Sequence, residues 1–221
     1  MIKLIVSDMD GTLVNDEKKI DEDIYELLPK LKEMGTKFVV ASGRQYCSLL
    51  ADFQEHTKDV VLCSENGAFI VDDGQELYAG CMTREQVKMS LDAAYAVEGI
   101  EPVVCAKYVT YTTSQEMADF LGSPKFKYKM AVVDDLYDID EDIIKISMAV
   151  MNGEDNVQMF RKVRAVLDES RREAVRHAAR TRRVRGADGG GVARGNLFAG
   201  GAVAARVPRL VGVVQGRRRV D

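Results

Sequence analysis

The chain has 221 residues, 46% of them apolar and 30% charged, with a formal net charge of −4. That balance gives a buried core and a charged surface. No stretch approaches the roughly 20 apolar residues of a membrane span, and no membrane partner is expected.

The chain opens straight onto an apolar run, leaving no room for a signal peptide and pointing to the cytoplasm. Cys47, Cys63, Cys81 and Cys105 form no C-x-x-C pair and read as reduced structural thiols. His56 and His177 stand apart, so no histidine-based metal site is expected.

Runs at 2–6 (I-K-L-I-V), 38–41 (F-V-V-A) and 60–63 (V-V-L-C) predict parallel strands buried on both faces. Between the first two, Ile20, Ile24, Leu27, Leu28, Leu31 and Met34 fall at helical spacing, with Asp21 as cap and Gly35 as stop. Pro29 inside that pattern should kink the helix or delay its start. Residues 46–53 predict a second, short helix. Strands alternating with helices imply an α/β fold, a Rossmann-like doubly wound parallel sheet.

D-D-G at 72–74 signals a hairpin. A helix is expected over 83–97, strands within 102–112, 129–133 and 140–150, and a helix over 156–167. These elements lack β-α-β alternation and suggest a second, α+β module beginning near residue 80. The domain reading is therefore a core over 1–80, an inserted α+β cap over 81–170 and a tail over 171–221.

The tail differs in kind. Residues 171–221 carry 13 Arg, no Lys and 3 acids, whereas residues 1–170 carry 18 basic and 32 acidic residues. An Arg- and Gly-rich tail can bind nucleic acid. This one has a single aromatic, Phe198, and V-V and L-V pairs instead of polar spacers. Its Arg, Ala, Gly and Val content is what GC-rich DNA read in the wrong frame produces. A non-native or disordered tail is the preferred reading, and nucleic acid is not the expected partner.

Three stretches carry chemistry. In S-D-M-D-G-T-L-V (7–14), Asp8 and Asp10 follow the first strand at the sheet edge where ligands bind. Residues i and i+2 of an extended segment point the same way, so both carboxylates can face one site, and Gly11 permits the turn that follows. Two close carboxylates repel, and a hard cation such as Mg²⁺ relieves the repulsion. A solvated Asp-x-Asp-Gly turn is the other reading of those residues.

In A-S-G-R (41–44), Ser42 offers a hydroxyl, Gly43 a close backbone and Arg44 a charged fork for phosphate. A capped strand-to-helix turn would look the same. In E-N-G-A (65–68), Asn66 either faces the site at the hinge or lies in a hairpin turn.

D-M-D-G-T-L, A-S-G-R and E-N-G-A-F-I in this order resemble the haloacid dehalogenase-like phosphatase superfamily, and most of all its Cof-type branch. The resemblance covers residues 1–168. It implies that Asp8 is the nucleophile, forming an aspartyl-phosphate, and that Asp10 protonates the leaving oxygen and then activates water. Mg²⁺ would be held by the Asp8 carboxylate and the Asp10 backbone carbonyl. Ser42, Gly43 and Arg44 would cradle the phosphoryl group.

The physics of those roles is sound. A carboxylate is an adequate nucleophile once a cation offsets its repulsion from phosphate, and phosphoryl transfer asks chiefly for positioning and charge neutralisation. The superfamily also uses a later lysine and a G-D-x-x-N-D motif. Within this chain no lysine follows Lys162, and D-G-G-G at 188–191 lacks the second acid. Lys145, inside I-I-K-I-S-M, reads as structural.

The expected function is Mg²⁺-dependent hydrolysis of a small phosphorylated metabolite, a sugar or cofactor phosphate, impaired in this chain. The alternatives are a phosphomutase, an inactive remnant, or a nucleic-acid binder acting through the Arg-rich tail. The incomplete core should leave an unpaired sheet edge with one face poorly covered. Oligomeric state is not legible.

Overall fold

The computed structural model describes residues 2–15, 19–151 and 155–187. Its first module comprises β1 (Leu4–Asp8), α1 (Glu22–Glu33), β2 (Lys37–Ala41), α2 (Tyr46–Asp52), β3 (Val60–Ser64), β4 (Phe69–Asp72) and β5 (Gln75–Ala79). The sheet runs β1-β2-β3-β4-β5, with the first three strands parallel and the last two antiparallel. The fold class is α/β, as the alternating pattern implied.

Local chemistry accounts for these elements. Asp21 caps α1 by accepting from the Asp23 amide, and Gly35 follows the helix in the left-handed region at φ +72°. The helix runs through Pro29 and starts at Glu22, so its start is not delayed. Its cap and the fully buried Leu28 hold it despite the missing N–H. The β4–β5 hairpin turns at Asp73 (φ +50°) and Gly74 (φ +76°), the two positive angles of a type I′ turn.

One apolar cluster joins Phe38 and Val40 of β2, Leu62 of β3 and Phe69 of β4 to Leu28 of α1 and Leu49 of α2. Burial on both faces holds for β3 and fails for β1. Ile5 packs against the cluster, but Leu4 and Val6 are 57% and 60% exposed. The reason is topological. β1 is an edge strand whose sole partner among the described strands is β2, and α1 and α2 cover the face that Ile5, Phe38 and Val40 share.

The second module contains α3 (Arg84–Tyr95), β6 (Ile100–Ala106), β7 (Thr110–Thr112), α4 (Gln115–Gly122), β8 (Met130–Val132), β9 (Ile143–Val150) and α5 (Asn156–Ala187). Its sheet runs β8-β7-β6-β9, with β6 antiparallel to both neighbours. Val87 and Leu91 of α3 and Met159 and Val163 of α5 pack on Val104, Ile146 and Met148. Met117 and Leu121 of α4 pack against Val103 and Ala149. Thr83 and Gln86 form a capping box at the start of α3.

Two elements depart from the sequence expectations. Helix α4 was not anticipated; it has eight residues and is capped by Ser114. Helix α5 runs past Leu167 to Ala187, so the change of composition at residue 171 falls inside a helix. The rest of the Arg-rich tail and D-G-G-G lie outside the described residues. No described helix is long and apolar enough to cross a membrane.

A bulge in β9 joins the modules. Cys105 pairs with Lys145 and Ala106 with Ile143, so Ile144 is the extra residue. Its fully buried side chain belongs to the apolar cluster of the first module. Polar contacts add to this. Gln45 exchanges hydrogen bonds with the Lys129 backbone and donates to the Thr110 hydroxyl, while Ser48 donates to the Phe126 carbonyl.

Candidate active site

The parallel register aligns the carboxyl ends of the first three strands. Asp8 lies opposite Ala41, and Ala41 opposite Cys63. The residues that follow these strands, Met9–Gly11, Ser42–Arg44 and Glu65–Gly67, therefore meet at one edge.

Met9 explains how the acid pair is aimed. It is fully buried in the apolar cluster, while Asp8 and Asp10 on either side are exposed. The turn behind it is tight. The Leu13 and Val14 amides both donate to the Met9 carbonyl, at 3.1 and 3.0 Å, and Gly11 takes φ +81°. Among the described residues, the Asp8 carboxylate has no hydrogen-bond or ion-pair partner.

Arg44 does not stand free for an anion. Its Nη2 and Nε donate to the two Asp10 carboxylate oxygens at 2.7 and 3.2 Å, and its Nη1 donates to Asp52 at 3.2 Å. Lys127 of the second module also pairs with Asp52. The fork expected for phosphate is thus a bidentate clamp on Asp10 in this structure.

The 42–44 loop is held by its carbonyls. Asn66 N–H donates to the Ser42 carbonyl at 2.9 Å, and Glu65 N–H to the Arg44 carbonyl at 3.0 Å. The Gly43 carbonyl accepts from Lys145 Nζ at 3.0 Å. The Ser42 hydroxyl accepts from the Arg44 N–H at 3.2 Å. A Cβ on Gly43 would sit 2.8 Å from Asn66 Oδ1, so glycine here permits a close approach. Asn66 therefore contacts the loop, and it does so from the left-handed region at φ +57°.

Sequence reading assigned Glu65 no role and took Lys145 as structural. The structure brings both to the loop as a buried ion pair between modules. A signal was available, because a lysine within I-I-K-I-S-M-A-V cannot be buried without a counter-charge. Burial pushes the Glu65 carboxyl up from its usual range, and Lys145 pulls it part of the way back. Burial also raises the Cys105 thiol to about 12, which marks a structural and unreactive cysteine.

The residues present meet a divalent cation in part. Asp8 offers an open carboxylate, whereas the Asp10 carboxylate is taken up by Arg44. No cluster of three or more His, Cys, Asp or Glu suited to a metal occurs among the described residues.

A family profile described as haloacid dehalogenase-like hydrolase matches residues 5–177. The chain belongs to the haloacid dehalogenase-like hydrolase family. This member is similar to the 5-amino-6-(5-phospho-D-ribitylamino)uracil phosphatase YbjI of Escherichia coli K12, 26% identical over 149 residues that cover 66% of this chain and 55% of YbjI. Bacillus subtilis YitU, a phosphatase of the same description, is 32% identical over 92 residues, 40% of this chain and 34% of YitU.

The fold of this chain matches the crystal structure of SMU.1108c from Streptococcus mutans UA159 with a TM-score of 0.63 at 23% identity, covering 74% of this chain and 62% of that one. It also matches BT4131, described as a subclass IIB sugar phosphatase, with a TM-score of 0.58 at 17% identity, covering 75% and 64%. The chain spans about half the length of YbjI, the curated relative it matches over 149 residues.

Proposed function

We propose that this hydrolase acts on small phosphate monoesters, a sugar phosphate or a cofactor phosphate, with Asp8 as nucleophile. The observation that carries this reading is the alignment of the open Asp8 carboxylate with the Ser42–Arg44 loop across the β1–β2 register, beside Asp10. YbjI and YitU are described as 5-amino-6-(5-phospho-D-ribitylamino)uracil phosphatases, which supports a small phosphorylated compound as substrate.

In the proposed mechanism, the phosphoryl group sits over the 42–44 loop and Asp8 attacks phosphorus. Asp10 gives its proton to the departing alkoxide and later takes one from the attacking water. An arriving phosphate competes with Asp10 for the Arg44 fork, so substrate binding would free the acid that the chemistry needs. Mg²⁺, held by the Asp8 carboxylate and the Asp10 backbone carbonyl, would supply charge neutralisation between nucleophile and phosphate.

The later lysine and acidic motif implied by the family resemblance do not occur within this chain. Losing such an electrostatic contribution typically costs about 10²–10³ in rate, so weak turnover is expected. The test is p-nitrophenyl phosphate hydrolysis with and without Mg²⁺, together with trapping of an acid-stable, base-labile phosphoenzyme. Asp8→Asn should abolish both. A labelled intermediate that survives Asp8→Asn would refute the assignment.

A further inference from the structure

The Glu65–Lys145 pair is the most deeply buried ion pair among the described residues. Lys145 is 4% exposed and Glu65 2%. A buried pair of this kind gives little net stability, because desolvation offsets most of the attraction. Its placement is informative. Lys145 lies just after the β9 bulge, where Ile144 enters the first module's core and the ammonium reaches both Glu65 and the Gly43 carbonyl.

Glu65 belongs to the turn whose amides hold the two flanking carbonyls, Ser42 and Arg44. It does so in a left-handed conformation, φ +52°, which a non-glycine residue adopts only when its surroundings impose it. One turn and one lysine thus hold three consecutive carbonyls of the loop.

From this geometry we infer that Lys145 is a positioning residue for the phosphoryl-binding loop. It fixes the Gly43 carbonyl directly, and it fixes the Glu65–Asn66 turn through the Glu65 carboxylate. The cap strand that carries it thereby sets the shape of a loop belonging to the first module. A peptide whose carbonyl is held on one side presents its neighbouring N–H groups in a fixed direction, which a site for a multiply charged oxyanion requires. The inference rests on the reading of residues 42–44 as the phosphoryl seat.

Lys145→Met alone strands Glu65 without a counter-charge. The variant for this test is therefore the double substitution of Glu65→Gln with Lys145→Met, which removes both charges and keeps the Glu65 backbone donor. Inorganic phosphate is titrated into the full chain and followed by amide shifts at Ser42, Gly43 and Arg44, with hydrogen exchange of the same amides. The double variant should bind phosphate about tenfold more weakly, the effect of losing one charge-assisted hydrogen bond. Exchange at 42–45 should accelerate while β2 and β3 exchange as before.

On the unsubstituted chain, the Lys145 Nζ resonance should shift as phosphate saturates the loop, a readout that does not depend on the variant folding. Wild-type affinity in the folded double variant, or an unmoved Nζ resonance, would overturn the positioning role alone. If phosphate leaves Ser42–Arg44 unshifted in the wild type, the phosphoryl-seat reading fails and takes the positioning role with it.

Discussion

Lys145→Met should unfold the protein more readily, and by an amount that depends on pH. The Glu65 side chain is fully buried and the Lys145 side chain nearly so, so solvent screening does little to soften the change. Removing one member of a buried pair typically costs about 3–5 kcal/mol, because the other charge is left without compensation. Set against the about 5–15 kcal/mol that holds a typical domain together, the loss is large.

Its pH dependence follows from the direction of the Glu65 shift. The folded carboxyl binds its proton more tightly than the unfolded one, since burial raises it. Between those two values the native state holds the extra proton, so stability falls as pH rises, by up to about 1.4 kcal/mol per unit. Without Lys145 nothing opposes burial, and the window widens upward. Urea unfolding followed by circular dichroism at pH 5 and pH 8 should find the variant much closer to wild type at pH 5. Equal losses at both values would refute an electrostatic origin and leave packing as the cause.

Ile144→Ala should cost about 2–5 kcal/mol, the range for truncating a fully buried aliphatic side chain, and should loosen the second module from the first. Calorimetry would show this as a broadened or split transition. Gly43→Ala should displace the Asn66 side chain, because the new methyl lies 2.8 Å from its Oδ1. Asn66→Gly in the same chain should recover the lost stability, since residue 66 has a glycine-compatible φ of +57°. Val6→Lys on the open edge should leave stability within about 0.5 kcal/mol but reduce self-association, measured by light scattering.

Much of the architecture was legible because it is local. Asp21, Gly35 and Asp73-Gly74 each announce a terminus or turn through side-chain or backbone chemistry that needs no tertiary context. The three parallel strands were readable from their apolar runs, yet equal apolarity in β1 and β3 concealed opposite surroundings. Only strand order separates the edge from the interior. Helix α4 escaped because eight residues give barely two turns of periodicity. Within the site, the strand-end positions of Asp8, Asp10 and Ser42 followed from the pattern. The clamp of Arg44 on Asp10 did not, because it joins residues 34 apart, and the reach of Lys145 to Gly43 spans 102.

The proposed nucleophile sits at the end of an exposed edge strand, and the structure contains an answer to that weakness. β1 has β2 as its one strand partner among the described residues, and Leu4 and Val6 face solvent, so local opening should start there. Asp8 and Asp10 do not depend on that strand alone. Met9 between them is fully buried, its carbonyl receives three amides from the following turn (Thr12, Leu13 and Val14), and Leu13 and Val14 are buried with it. From the other side, Arg44 ties Asp10 to Asp52 on α2. The acid pair is therefore anchored by the turn behind it and the helix beside it. Fraying of Leu4–Val6 can proceed with the aspartates still aimed at the 42–44 loop, so a destabilised edge should lower the population of folded chain before it disturbs the geometry of the site.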